Sequence, residues 1–166
     1  PDEEELWSQL EQTIRNACTQ FAQTRAVEGA HLKQDLVEKL HHMKLNVDKV
    51  EERAPQIVRE YRTKLEEKVQ ELLGDTQIDE ARLSTEIILF ADKICTDEET
   101  VRLKSHITSM LNALDGNEGI GRKLDFIAQE MNREANTILS KSNDLETSGI
   151  AIELKTEIEK VREQIQ

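Results

Sequence analysis

The stretch GRKLDFIAQEMNREANTILSKSND, residues 121–144, decides how this chain is read. At about 100° per residue, Leu124, Ile127, Ala128, Met131, Ala135 and Ile138 share one side of a helix, and Arg122, Asp125, Gln129, Asn132, Arg133 and Asn136 fall in one sector roughly opposite. The apolar side supplies a core by itself. The polar side mixes amides, guanidinium and carboxylate, where an ordinary solvated face would be mostly Glu and Lys. Asn is a mediocre helix former because its amide competes for backbone hydrogen bonds, so Asn132 and Asn136 within one helix point to a use for those amides. A partner helix, a metal-bound water or a phosphate would each suit them.

The same period runs through the rest of the chain. Leu6, Leu10, Ile14, Cys18 and Phe21, then Leu32, Leu36, Leu40, Met43, Val47 and Val50, recur at spacings of three and four until Ala54-Pro55. Pro55 suits the first turn of a new helix, with Ile57, Val58, Tyr61, Leu65, Val69 and Leu72 on its apolar side and Gly74 as its terminator. The expectation is all-α: a long antiparallel helical hairpin turning near Pro55, a coiled-coil-like arm over residues 1–75, plus a smaller helical bundle over 76–166. In the bundle, one helix starts near Asp79 on Leu83, Ile87, Phe90 and Ile94. Thr96 with Glu99 three residues on reads as a capping box opening the next, which runs to about Leu114. Residues 115–119 read as a loop, residues 140–144 as a polar break, and Ile150, Leu154, Ile158, Val161 and Ile165 as the stripe of a final helix. That last stripe calls for a partner surface, so self-association is expected.

Composition narrows the class further. With 166 residues, 37% hydrophobic and 3% aromatic content and two prolines, the chain can bury one sizeable core built from helices rather than a sandwich or barrel. A net charge of -12 argues against simple electrostatic attachment to nucleic acid, and no DNA partner is expected. Residues 120–142 depart from that balance, with Arg122, Lys123, Arg133 and Lys141 against Asp125, Glu130 and Glu134, a local excess of one positive charge. Cys18 and Cys95 form neither a CxxC pair nor a disulfide framework, which fits a reducing cytoplasm. No apolar run approaches 18 residues, so no membrane partner is expected.

Residues 121–144 also resemble the C-terminal signature of the YicC/YloC family of bacterial endoribonucleases, and the tail from Glu153-Leu154-Lys155 to Ile165 continues that likeness. Upstream, Asp79-Glu80-Ala81-Arg82-Leu83, Glu86, Ala91-Asp92-Lys93 and the run from Asp97 to His106 resemble the family as well, and Arg25-Ala26-Val27-Glu28-Gly29 does so more weakly. The resemblance implies the helical C-terminal part of an endoribonuclease that hydrolyses RNA phosphodiester bonds in RNA processing or decay. It further implies a divalent cation, manganese or magnesium, a cytoplasmic setting and a homo-oligomer, a hexamer in the full-length form. A β-rich N-terminal part is then expected before Pro1, and a few residues after Gln166.

Phosphodiester hydrolysis needs an activated nucleophile, help for the leaving oxygen and neutralisation of the phosphoryl oxygens. Candidate catalytic groups are His106, Asp125, Glu130 and Glu134, and candidate metal ligands are Glu98, Glu99, Glu130 and Glu134. Glu130 and Glu134 lie on one flank at i, i+4 while Asp125 points away, so another helix or subunit must complete any cage. The preceding helix is the natural donor, with Glu98, Arg102 and His106 stacked at i, i+4, i+8 and Glu99 beside them. Arg102, Arg122, Lys123, Gln129, Arg133, Asn136 and Lys141 are the candidate RNA contacts. The same groups equally suit a polar seam that sets register between helices or subunits, which would make the chain a non-catalytic oligomerisation module of an RNA-binding protein.

Overall fold

The computed structural model describes residues 2–74, 79–116 and 119–166. Its regular elements, among the described residues, are five α-helices: α1 (Glu3–Leu73), α2 (Glu80–Ile94), α3 (Asp97–Leu114), α4 (Gly121–Lys141) and α5 (Leu145–Ile165). The chain divides into two compact units, residues 1–38 and 39–166. In the first, α1 leaves Leu6, Trp7, Leu10, Ile14 and Phe21 exposed. Local pairs support it, including Arg15 with Glu11 at 2.7 Å and the Arg25 guanidinium 5.7 Å from the Phe21 ring centre.

In the second unit the expected hairpin is corrected. The helix does not turn near Pro55 but continues through it, with Pro55 inside α1. A proline in a helix interior costs about 3 kcal/mol, because it removes an N–H and crowds the carbonyl four residues back. Two features offset this. Arg53 donates to both carboxylate oxygens of Glu60, at 2.6 and 2.9 Å, and so staples the turns on either side of the proline. Val50, Ala54 and Ile57 meanwhile line a cleft shared with Ile94, Thr96 and Thr147, so that α1, α2, α5 and the residue capping α3 meet at this stretch.

An antiparallel helix pair does exist, one helix later in the chain. Tyr61 of α1 stacks on Phe90 of α2 with ring centres 3.7 Å apart and planes 11° from parallel. Nearer the chain reversal, Leu65, Val69 and Leu73 share a groove with Asp79, Leu83 and Glu86. Gly74 ends α1 at φ 61°, a conformation that costs L-residues about 1–2 kcal/mol, and its N–H closes on the Gln70 carbonyl at 2.9 Å. Asp79 then caps α2 by accepting from the N–H groups of Ala81 and Arg82.

The core of this unit is the expected apolar sides brought together. Leu40, Met43, Val47 and Val50 of α1, Leu103, Ile107 and Met110 of α3, Ala128, Met131 and Ile138 of α4, and Leu154, Ile158 and Val161 of α5 are all essentially fully buried. Each of the larger side chains, Ala128 apart, contributes about 1.5–3 kcal/mol on burial. The α4 helix packs against both α3 and α5. The α5 stripe is therefore covered within this chain, and the expectation that it requires a partner copy is corrected. The break before α5 falls at residues 142–144, where Asp144 caps the helix through the Thr147 N–H at 3.0 Å. Of the loop expected at 115–119, residues 117 and 118 lie outside the described residues.

Candidate functional site

The capping box expected at the start of α3 is absent, and its components serve another purpose. Thr96 is the N-cap residue but makes no side-chain cap bond. Glu99 is instead drawn inward: only 4% exposed, its Oε1 accepts from Lys141 Nζ at 3.0 Å and from Arg102 Nη2 at 3.3 Å. Lys141 also donates to the Cys95 carbonyl at 3.1 Å, which fixes the end of α4 against the α2–α3 junction. Burial pushes the Glu99 carboxyl up, but the Lys141 bond, Glu99's own backbone N–H and the charges of Lys141 and Arg102 outweigh it, holding the group below the usual carboxylate range.

Arg102 organises the α3–α4 junction. Its guanidinium donates to Glu134 at 3.0 Å, to Glu98 at 3.1 Å and to Glu99 at 3.3 Å. Glu134 is buried within the α4 seam at 5% exposure. The i, i+4 pair of Glu98 and Arg102 forms as the spacing suggests, whereas His106, one turn further, is half-buried outside this cluster. Asp125 faces the other side of α4, accepting from Gln129 at 2.9 Å and from Arg162 of α5 at 3.4 Å. The two edges of α4 are thus tied to different neighbours, Glu134 to α3 and Asp125 to α5.

Between those edges runs a surface strip. Arg122, Lys123, Gln129, Arg133 and Asn136 are exposed, and Glu130 is half-buried with only a long 3.9 Å approach from Arg133. Asn132 is turned inward, its Oδ1 buried with no hydrogen-bond partner among the described residues. The mixed polar face therefore splits into a braced part and an open part.

A divalent ion does not fit the four proposed ligands as they stand. Glu98, Glu99 and Glu134 converge on the Arg102 guanidinium, a cation already in place, and Glu130 lies outside that cluster. Among the described residues, the one group of three His, Cys, Asp or Glu side chains with donor atoms close enough to share an ion is His42, Glu153 and Glu157.

Sequence reasoning missed a second ion-pair junction. Arg53 pairs bidentately with Asp144, Nη2 to Oδ1 at 2.9 Å and Nε to Oδ2 at 3.2 Å, while holding Glu60 on its other edge. Those bonds from Arg53, opposed by burial and assisted by the Thr147 N–H and hydroxyl, hold the Asp144 pKa down at about 2. The cap pattern of Asp144 with Thr147 three residues on is legible in the sequence. Its partner 91 residues upstream is not.

The chain is thus an all-α protein whose helices are joined by partly buried carboxylate–guanidinium junctions beside an open polar strip. The model of the family described as "Endoribonuclease YicC-like, C-terminal" matches residues 50–166. The chain belongs to that family. It is 43% identical over 166 residues, 99% of its length, to the "Probable endoribonuclease YicC" of Clostridioides difficile (strain 630), and 36% identical over 148 residues, 89% of its length, to the protein of the same name from Haemophilus influenzae. It spans 57% and 51% of those two relatives.

Proposed function

We propose that the complete protein is an endoribonuclease that hydrolyses RNA phosphodiester bonds in RNA processing or decay, and that this chain supplies part of its RNA-facing surface. Support comes from the family to which the chain belongs and from relatives named as probable endoribonucleases. One observation about the site carries the reading. The open strip of α4 with Arg122, Lys123, Gln129, Arg133 and Asn136 lies wholly inside the matched region and interrupts a strongly acidic chain with locally positive charge. Guanidinium and ammonium groups neutralise backbone phosphates, and amides add hydrogen bonds without demanding a base sequence. Glu130 and His106 are the groups of this region left for acid–base work, with Asp125 engaged by Gln129 and Arg162 at the edge of the strip, while Glu99, Glu134, Arg102 and Lys141 act as a brace that positions α4.

A divalent cation, manganese or magnesium, belongs to this proposal, as do a homo-oligomeric, hexameric assembly and a cytoplasmic setting. Among the described residues no helix is long and apolar enough to cross a membrane. No step is assigned to the cation at the α3–α4 junction, because Arg102 and Lys141 already pair with the carboxylates there. That same pairing favours a second reading, a helical oligomerisation module in which these groups only set helix register. Cleavage of RNA by the full-length parent and by this chain, each with and without divalent ions, tests the proposal. Cleavage by the parent that stops on chelation supports it. Binding of RNA by the parent without cleavage under any ion condition would assign the chain to assembly.

A further inference from the structure

We infer that His42, Glu153 and Glu157 form a binding site for a divalent transition-metal ion that joins α1 to α5. Glu153 and Glu157 are spaced i, i+4 on α5, which puts both carboxylates on one face of that helix. His42 reaches them from α1, its Nδ1 2.6 Å from Glu157 Oε1. One donor atom from each of the three lies within 4.8 Å of the other two. Bonds of about 2.0–2.2 Å from a central ion to imidazole nitrogen and carboxylate oxygen set neighbouring donors roughly 3–3.5 Å apart. Side-chain rotation alone therefore converts the present arrangement into a ligand set, with the Nδ1 lone pair directed at the ion in place of the hydrogen bond.

Two further observations point to a cation here. Like charges at i, i+4 on a helix repel each other, and Glu153 and Glu157 of α5 stand at that spacing with donor atoms within 4.8 Å of one another. In addition, Glu157 Oε2 is buried and has no hydrogen-bond partner among the described residues, although the side chain as a whole keeps 16% of its surface. A bound ion supplies charge to both carboxylates at once. Imidazole in the donor set selects zinc and its transition-metal neighbours over magnesium or calcium, which prefer oxygen alone. Three protein ligands leave the remaining positions to water. The inference does not rest on the ribonuclease reading and holds equally if the chain only assembles.

Calorimetric titration of the metal-stripped chain with Zn²⁺ tests it, with Mg²⁺ as the comparison and Mn²⁺ as a third titrant. The expected result is one zinc site per chain, weaker manganese binding and no comparable magnesium binding. Loss of a ligand should cost at least as much as loss of a group supporting one, so His42→Ala and Glu157→Gln should each weaken zinc binding by roughly tenfold or more. Glu153→Gln, at an exposed position, should do the same without disturbing the fold, which guards against misfolding of the Glu157 variant. Zinc should also raise the melting temperature of the parent and not of the variants, because an ion bound only to the folded state stabilises it. Parental zinc affinity and stoichiometry in all three variants would overturn the inference, as would failure of the parent to bind zinc.

Discussion

Replacing Asp144 with Asn removes one charge at the junction that braces α1 across Pro55 and keeps the cap, because an Asn oxygen can still accept from the Thr147 N–H. The Asp144 pKa of about 2 in the folded chain, against about 3.9 for an unfolded Asp, corresponds to roughly 2.6 kcal/mol of stability at neutral pH. The Asp144 side chain keeps 14% of its surface in solvent, and Glu60 and Glu146 compete for the same guanidinium, so a realistic loss is about 1–2 kcal/mol. For a chain of this size that lowers the melting temperature by roughly 2–8 °C. The sign with pH follows from the depressed value. The contribution is complete above the unfolded pKa near 4 and is lost as pH falls through about 2. Urea unfolding of parent and Asp144→Asn at a series of pH values should show a constant gap from neutrality to about pH 5, closing between about pH 4 and 2. In an Arg53→Met background the gap should shrink and lose its pH dependence. Equal stability of parent and variant at neutral pH, or a gap that persists unchanged into acid, would show that the Arg53–Asp144 pair contributes no charge-dependent stability.

Two other substitutions test how α1 is built. Pro55→Ala restores a helical hydrogen bond and relieves crowding, but it also frees the unfolded chain, so the expected net gain is about 2 kcal/mol; a lower melting temperature would mean that the proline's local geometry is needed to seat Arg53 between Glu60 and Asp144. Gly74→Ala meets no neighbouring atom within 4 Å, so backbone strain at φ 61° is its whole cost, about 1 kcal/mol by thermal or urea unfolding; a neutral result would contradict the left-handed terminator.

What the sequence disclosed and what it concealed follow from the range of the interactions. The apolar side of α4 was fully legible, because helical period depends on spacing alone, and Leu124, Ile127, Ala128, Met131, Ala135 and Ile138 are all buried. Gly74 and Asp79 were legible as helix ends for similarly local reasons. Pro55 misled because its local chemistry, a missing N–H and a fixed φ, favours a helix start, whereas the staple to Glu60 and the hold of Asp144 on Arg53 come from beyond the local turn. Glu99 misled in the same way, since Lys141, 42 residues on, outcompetes the cap. The spacing correctly separated Asp125 from Glu134 on α4 but did not reveal that Arg162 and Arg102 await them on different helices. His42 carried no sequence signal, its partner Glu157 being 115 residues away.

The central claim, that the open strip of α4 works on RNA while the Arg102 junction only positions it, is tested most directly in the full-length parent by measuring RNA cleavage and thermal stability together for Arg133→Ala and Glu130→Gln. Arg133 keeps 76% of its side-chain surface exposed and approaches Glu130 no closer than 3.9 Å, so neither change should disturb packing, and melting temperatures should stay within about 1–2 °C of the parent. The expected result is that kcat/KM falls at least about tenfold in each variant, equivalent to about 1.4 kcal/mol of lost transition-state stabilisation, with oligomer size unchanged. Parental cleavage in both variants would contradict the claim.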